Sequence, residues 1–152
     1  MGQRKGGGSE NGLTLIEVTL LAAIIGIIAA IVLPRFSLDT IVLYRVKTAS
    51  RRLVTDLRYT RTLAITQRTN HILQINGHQY AIYRGSVAPG NQVGETREIA
   101  GTINLSGDST FSFTSQGGTA PGSGTWLGLT EAGHSWTVSV NATTGLVEMS
   151  GS

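Results

Sequence analysis

Cysteine is absent from this chain of 152 residues, which excludes disulfides, thiolate metal sites and cysteine nucleophiles. Charged residues make up only 14% of the chain and aromatic residues only 6%, and no phosphate-binding loop or nucleophile motif is present. The three histidines, His71, His78 and His134, lack the spacing of metal ligands. These absences predict a chain without a catalytic site, a metal or a cofactor, and its length is enough for one modest domain.

The charge that is present is unevenly divided along the chain. Residues 35–69 carry eight arginines and lysines against two aspartates, a net charge of +6. Residues 70–152 carry two arginines against five acidic residues, a net charge of −3. A basic segment followed by an acidic one predicts two surfaces with different neighbours, or complementary contacts between copies of the chain.

The first 33 residues place a long apolar run behind a polar start. Residues 1–12 are glycine-rich and include Arg4 and Lys5, whereas residues 13–33 are apolar apart from two threonines and Glu17. As a helix, this run would span roughly 30 Å, the thickness of the hydrocarbon core of a bilayer. A cleaved secretory signal has a shorter apolar core, followed by its small residue. Because positive charge precedes the run, we expect a single span with a cytoplasmic N-terminus.

Glu17 is the exception within the apolar run. Inserting a carboxylate there costs on the order of 2–3 kcal/mol, so the residue needs a physical reason. One interpretation is that Glu17 lies near the membrane interface and reaches headgroups or water. In the other, cleavage after Gly12 gives Leu13 a free amine, and the glutamate of a neighbouring copy pairs with that amine where unpaired charge is costly. Such pairing would set the axial register between subunits.

The residues around this junction resemble those of the type IV pilin and type II secretion pseudopilin superfamily. The matching features are Gly12, the segment Leu13-Thr14-Leu15-Ile16-Glu17-Val18, the apolar run, Gly26 and Pro34. The resemblance implies that residues 1–12 are a prepilin leader, cut between Gly12 and Leu13 by a membrane prepilin peptidase that also N-methylates Leu13. It implies that Glu17 supports subunit assembly. It also implies that the helix is weakened or broken at Gly26 and Pro34. Leu13 departs from the phenylalanine that is usual at its position.

A second helical pattern follows the apolar run. Spacings of three and four residues form one apolar stripe, whose members are Val42, Val46, Ala49, Leu53, Leu57, Thr60 and Ala64. The pattern predicts a helix from about Leu13 to about Gln67, with a transmembrane and assembly half at 13–34 and an amphipathic half at 35–69. The basic face of the second half is expected to meet neighbouring subunits or membrane headgroups. Because proline interrupts helical hydrogen bonding, the alternative is that Pro34 ends the membrane helix.

Residues 70–152 change to the period of two that is typical of strands. The Asn76-Gly77 pair between two alternating runs predicts a β-hairpin. Further strands are predicted at 98–100, 102–105, 110–114, 125–129, 135–140 and 146–149, with loops at 85–94 and 115–124. The expected fold class is α+β, a long N-terminal helix packed on a C-terminal antiparallel β-sheet domain, and the resemblance implies the pilin fold.

Further segments narrow the resemblance to the GspH/FimT family of minor pilins and pseudopilins. The matching segments are 51–68, 111–113, 136–140 and 144–147. The resemblance implies a non-enzymatic subunit of the filament tip or initiation complex. Its implied partners are other major and minor pilins or pseudopilins, the prepilin peptidase, the inner-membrane assembly platform and membrane lipid. It would be anchored in the bacterial inner membrane with its C-terminal domain in the periplasm, and then enter a pseudopilus or pilus.

The resemblance leaves the filament system open. We expect a minor pseudopilin of a type II secretion system, which helps to export folded proteins across the outer membrane. The alternatives are a minor type IV pilin and a DNA-binding pilin of natural transformation. DNA-binding relatives carry arginines near a C-terminal Gly-Arg motif, where this chain has Gly145-Leu146-Val147-Glu148. Because the β half is also acidic, which opposes phosphate contact, DNA is not an expected partner.

Overall fold

The computed structural model describes residues 14–32 and 38–151. The helices and strands are α1 Leu15–Val32, α2 Leu38–Thr66, β1 His71–Asn76, β2 Gln79–Arg84, β3 Gln92–Glu98, β4 Asn104–Gly107, β5 Thr110–Phe113, β6 Trp126–Glu131, β7 His134–Val140 and β8 Val147–Gly151. The chain divides after Ser37 into two compact units, with α1 in the first and α2 with every strand in the second. Gly12, Leu13 and Pro34 lie outside the described residues, so the expected continuous helix stays a prediction.

The apolar stripe predicted for the second half of the helix is the buried face of α2. Its fully buried members are Val46, Leu53, Leu57, Thr60 and Ala64. They lie on one side because spacings of three and four residues match the helical period. The buried Thr60 hydroxyl donates to a carbonyl one turn earlier at 2.7 Å, so its polar group keeps a partner. The prediction of an amphipathic helix is confirmed.

The strands form two antiparallel sheets of four, where the pattern predicted a single β-sheet domain. The first sheet has the order β3-β2-β1-β5 and the second the order β4-β6-β7-β8. Helix α2 contacts β1 and β5 of the first sheet and β6, β7 and β8 of the second. One helix therefore covers part of both sheets, which lets each sheet bury an apolar face.

The two sheets share one core with α2. The first sheet contributes the fully buried Leu73, Phe111 and Phe113, and the second contributes Leu129 and Val138. These side chains belong to the same apolar cluster as the stripe of α2. Burying a side chain of this size stabilises the fold by about 1.5–3 kcal/mol, so these residues dominate the stability of the second unit.

The predicted hairpin is present as β1 and β2, but its turn lies one residue later than expected. Asn76 pairs with Gln79, so the two central residues of the turn are Gly77 and His78. Gly77 has a φ of 60°, a left-handed conformation that glycine adopts without steric cost. Glycine at the first central position is typical of one of the two favoured hairpin turns.

Strand β3 overlaps the expected loop 85–94 at residues 92–94 and the expected strand 98–100 only at Glu98. Apart from Val93 and Gly94 its residues are polar, and all are half-buried or exposed, so they lack the alternation that reveals a strand. Its pairing with β2 shifts at a bulge that follows Val93 and includes Gly94, whose φ is 77°. Bulges re-aim side chains on an edge strand, and Arg97 follows this one. Apart from the expected strand at 98–100, the other predicted strands agree with the observed ones to within two residues.

Candidate assembly surface

Helix α1 begins beside the predicted cleavage junction, and Thr14 caps it. The Glu17 N–H lies 3.3 Å from Thr14 Oγ1 and 3.0 Å from the Thr14 carbonyl. With Leu15 as the first helical residue, Thr14 and Glu17 occupy the two positions of a capping box. The two interpretations of Glu17 from the sequence, contact with the membrane interface and pairing with a neighbour's amine, did not include this local role, although the Thr-x-x-Glu spacing signals it. Cleavage between Gly12 and Leu13 and methylation of Leu13 stay predictions.

The surface of α1 is apolar on every face. Its ten large aliphatic side chains, from Leu15 to Ile31, are between 47% and 83% exposed. Glu17 is the one charged residue in the helix. Exposed apolar surface of this extent marks a site of contact with other proteins or with lipid. This helix is therefore the part of the described chain that most needs a covering partner.

Gly26 lies in the interior of α1, and the helix continues through it without interruption. A Cβ atom at this position would meet no described residue within 4 Å, so packing among residues 14–32 and 38–151 does not require glycine. The remaining reason to expect a weak point is the helix propensity of glycine, about 1 kcal/mol poorer than that of alanine. Weakening of the helix at Gly26 within a filament stays a prediction, as does a break at Pro34.

Within residues 14–32 and 38–151, no helix combines the length and the apolar character that crossing a membrane requires.

Several basic residues of α2 contact the strands and loops of their own unit. The contacts are Arg45 Nη1 to Glu131 Oε1 at 2.7 Å, Arg58 Nη2 to the Val147 carbonyl at 2.9 Å, and Arg61 Nε to the Gly117 carbonyl at 2.8 Å. The expectation that the basic face meets only neighbours or headgroups is therefore wrong for these three arginines, which hold the helix to the strands and loops. Arg51, Arg52 and Arg68 are exposed and form no ion pair with a described residue.

A buried polar cluster joins the middle of α2 to the edge of the first sheet. Asp56, which is 4% exposed, accepts a hydrogen bond from the Tyr80 hydroxyl at 2.6 Å. Its other carboxylate oxygen forms an ion pair with Arg97. Burial, followed by the hydrogen bond to Asp56, raises the pKa of the Tyr80 phenol to about 12. The hydrogen bond to the same carboxylate raises the pKa of Arg97 above its usual value.

This cluster positions β2 and β3 against the helix. A buried carboxylate is tolerated because both of its oxygens have a donor. The cluster was not predicted from the sequence, because Tyr80 and Arg97 lie 24 and 41 positions after Asp56. Asp56 itself falls within a helix whose pattern is otherwise amphipathic. One feature of the sequence could have indicated the cluster. Asp56 lies between Leu53 and Leu57, on the side of the helix that the apolar stripe buries.

A groove of about 410 Å³ lies beside the first half of α2. It is lined by α2 residues, including Ile41 and Tyr44, and by Tyr80 with residues 98–100. Ile41 is 48% exposed and Tyr44 is 62% exposed. The lining is mainly apolar and aromatic and contains no convergent acid–base pair, so this groove suits contact with a surface rather than chemistry.

Two of the three histidines, His71 and His78, make structural contacts with backbone carbonyls. His71 is fully buried and its Nδ1 lies 2.9 Å from the Thr69 carbonyl, while His78 Nε2 lies 3.0 Å from the Ile103 carbonyl. In the part of the chain that the structure describes, no group of three or more acidic or histidine residues could hold a metal ion.

Comparison with known proteins identifies the fold. The sequence model of the family described as Type II transport protein GspH matches residues 49–144. The type IV minor pilin FimU of Pseudomonas aeruginosa is similar, with a TM-score of 0.57 and 18% identity, covering 69% of this chain and 87% of that one. The minor pseudopilin EpsH from the Type 2 Secretion System of Vibrio cholerae has a TM-score of 0.57 and 11% identity, covering 70% of this chain and 97% of that one. These likenesses show the pilin fold, and no curated protein matches the chain.

Proposed function

Because the chain belongs to the GspH family of type II transport proteins, we propose that it is a minor pseudopilin of a type II secretion pseudopilus. Members of the family are structural subunits, and this chain is a type IV pilin-like minor subunit. In the proposed role it acts in the tip or initiation complex and helps to export folded proteins across the outer membrane.

The observation that carries this proposal is the contrast in burial between α1 and the second unit. The large aliphatic side chains of α1 are 47% or more exposed, whereas α2 and the two sheets bury their own apolar faces. A helix that is apolar on all sides is stable only in an apolar surrounding. Packing among the corresponding helices of other pilin-like subunits would supply that surrounding after the helix leaves the membrane.

The proposed maturation uses the residues that precede α1. A prepilin peptidase cuts between Gly12 and Leu13 and methylates the Leu13 amine. Thr14 then lies one residue from the new N-terminus and caps the helix. The Glu17 carboxylate is available to pair with the amine of a neighbouring subunit, which compensates both charges in an apolar setting.

The proposed localisation follows from the leader and the apolar run. Arg4 and Lys5 precede the run at residues 13–33 and favour a cytoplasmic N-terminus. The compact unit then lies in the periplasm, where the pseudopilus forms. In this arrangement the inner-membrane assembly platform and membrane lipid are partners before assembly, and other major and minor pseudopilins are partners after it.

The second candidate function is that of a minor type IV pilin. The likeness to FimU, which is described as a type IV minor pilin, supports this second function. The likeness to EpsH supports the secretion function in the same way. Two sequence features favour secretion. The loops of the β half are extended, and Leu146 follows Gly145 where DNA-binding relatives have an arginine.

Deletion of the gene tests the choice between these systems when exoprotein secretion, twitching motility and transformation are scored in parallel. We expect secretion to fall while twitching and transformation stay normal. A twitching defect with normal secretion would overturn the secretion proposal in favour of the pilus. A defect confined to transformation would establish the DNA-uptake alternative.

A pair of leader variants tests maturation separately. Gly12→Val should leave only the unprocessed precursor, because the peptidase requires the small residue before the cut. Gly8→Val changes another glycine of the same leader and should be processed normally. Mature-sized Gly12→Val protein in cells with an active peptidase would show that the cleavage assignment is wrong.

A further inference from the structure

The end of the second unit where α2 finishes is built from four neighbouring segments, which we call the distal end. They are residues 61–70, residues 84–85, the loop 114–119 and the loop 141–146. Arg61 Nε binds the Gly117 carbonyl at 2.8 Å, and the Thr119 N–H binds the Ala142 carbonyl at 3.2 Å. The Gly85 N–H binds the Asn70 carbonyl at 2.7 Å. Since α2 has 29 residues, this end lies roughly 40 Å along the helix from its start.

The distal end is cationic within a β half that is acidic. Its charged residues are Arg61, Arg68 and Arg84, and its four segments contain no aspartate or glutamate. Arg61 is committed to a backbone carbonyl. Arg68 and Arg84 are exposed and form no ion pair with a described residue. The nearest acid along these segments is Glu148, which follows in β8.

Arg68 is held in a conformation that favours glycine. Its φ is 50°, and its N–H lies 3.4 Å from the Ile65 carbonyl while the Thr69 N–H lies 3.2 Å from the Ala64 carbonyl. This is the hydrogen-bond pattern that ends many helices, usually with glycine at the left-handed position. Ala132 is the other non-glycine residue with a positive φ among the described residues, but it has no charge to present. An arginine in a strained position is a sign of function.

Aliphatic side chains accompany the free arginines. Ile65 is 41% exposed and Leu146 is 53% exposed. Arginine is enriched at protein–protein interfaces, and the buried centre of such an interface is apolar. Nucleic acid binding draws its affinity from several phosphate contacts made by lysine and arginine, whereas this end offers two arginines that have no ion pair with a described residue. Glu148 would also repel phosphate. The mixture therefore favours a protein partner over a nucleic acid.

We propose that the distal end binds a segment of a partner protein that carries carboxylates and aliphatic side chains. Arg68 and Arg84 pair with the carboxylates, and Ile65 and Leu146 contact the aliphatic groups. Arginine forks bind carboxylates through two hydrogen bonds, which gives such a contact orientation as well as strength. This surface goes beyond the proposed function, because it belongs to the second unit and does not involve Glu17 or the cleavage junction.

Binding of a labelled peptide of alternating glutamate and leucine to the full chain in detergent micelles tests the proposal. Fluorescence anisotropy should show saturable binding that weakens as salt increases. Arg68→Gly should weaken binding by about fivefold while raising the unfolding temperature, because glycine relieves the backbone strain. Arg68→Lys keeps the charge but loses the paired hydrogen bonds of the guanidinium, so it should weaken binding by less than Arg68→Gly does. Arg51→Ala removes an exposed, unpaired arginine elsewhere on α2 and should leave binding unchanged.

Three results would overturn the proposal. The first is no saturable binding of the acidic peptide by the unsubstituted chain. The second is unchanged binding by Arg68→Gly, which would mean that the arginine has no role in this contact. The third is a short DNA duplex that binds the same end more tightly than the peptide, which would assign the surface to nucleic acid. Processing and secretion are measured independently, so failure here leaves the proposed function standing.

Discussion

Helix α1 and the second unit use apolar residues in opposite ways. In α1 the ten large aliphatic side chains from Leu15 to Ile31 are each exposed by 47% or more. In the second unit Phe111, Phe113 and Leu129 are fully buried against one helix and two sheets. The hydrophobic effect acts equally on both. The second unit satisfies it with its own helix and sheets, whereas α1, taken by itself, leaves its large aliphatic side chains exposed.

The two regions also differ in how they treat charge. Helix α1 has one charged residue, Glu17, which is exposed at its first turn. Helix α2 has many, and several are fixed by partners in the sheets, such as Arg45 by Glu131. A charged side chain that is paired within the chain stabilises the fold of that chain, whereas an unpaired charged side chain is available to pair with another subunit.

Phe111→Ala should destabilise the second unit by about 3–5 kcal/mol, because it leaves a cavity in the shared core. Leu20→Ala, the matched change in α1, should alter the stability of that unit by less than about 0.5 kcal/mol, because Leu20 is 63% exposed. Urea unfolding followed by tryptophan fluorescence measures both, since Trp126 and Trp136 lie in β6 and β7. Equal losses from the two changes would break the contrast.

Asp56→Ala should cost about 3 kcal/mol, because it removes the acceptor shared by Tyr80 and Arg97. Removing one partner of a buried pair costs about 3–5 kcal/mol, and we expect the lower end because the Arg97 side chain is 39% exposed. Glu95→Gln removes an exposed acid from β3 and should be nearly neutral. The same urea titration compares them. A cost for Asp56→Ala as small as that for Glu95→Gln would show that the cluster contributes little.

Stability should fall as pH rises from 10 to about 12. The pKa of Tyr80 is raised from 10.0 to about 12 in the fold. As the pH rises, the unfolded chain therefore loses this proton first, which lowers its free energy relative to that of the folded chain. The contribution is fully present below pH 10, and the loss should be on the order of 2 kcal/mol. Urea midpoints across this range measure it. Tyr80→Phe should flatten the decline, whereas Tyr44→Phe, at an exposed tyrosine, should leave the decline as steep as in the unsubstituted chain.

Gly26→Ala should have the smallest effect on the second unit, namely no shift of its urea midpoint. Within α1 it should slow amide exchange around the substituted residue, because alanine is favoured in helices by about 1 kcal/mol and its Cβ meets no neighbour among the described residues. A shifted midpoint would mean that the two units are energetically coupled.

The regular parts of the fold followed from local patterns. The stripe of α2 was predictable because its period matches the helix, and the β1–β2 hairpin was predictable from Asn76 and Gly77. The exact position of the turn, at Gly77-His78, was not predictable. Asn76 pairs with Gln79 and so belongs to the strand, which moves the turn one residue later than the Asn-Gly pair indicates. Strand β3 was missed because an edge strand with a bulge at Gly94 carries no regular alternation.

Contacts between distant segments were not predictable. Asp56 is buried only because Tyr80 and Arg97 come from strands far along the chain. The basic face of α2 suggested external partners, yet Arg58 and Arg61 bind carbonyls of the β half. The junction at Gly12 and Leu13 was assigned from sequence alone and lies outside the described residues.

Recovery of Glu17 variants in sheared filaments tests the central claim, that α1 serves assembly, most directly. Glu17→Gln retains a side chain that can complete the capping box with Thr14 but removes the charge that would pair with a neighbour's amine. Glu17→Ala removes both. We expect both variants to reach the membrane and to be processed, and neither to enter filaments at the level of the unsubstituted chain. Normal recovery of Glu17→Gln with loss of Glu17→Ala would reduce Glu17 to a helix cap and contradict the assembly role.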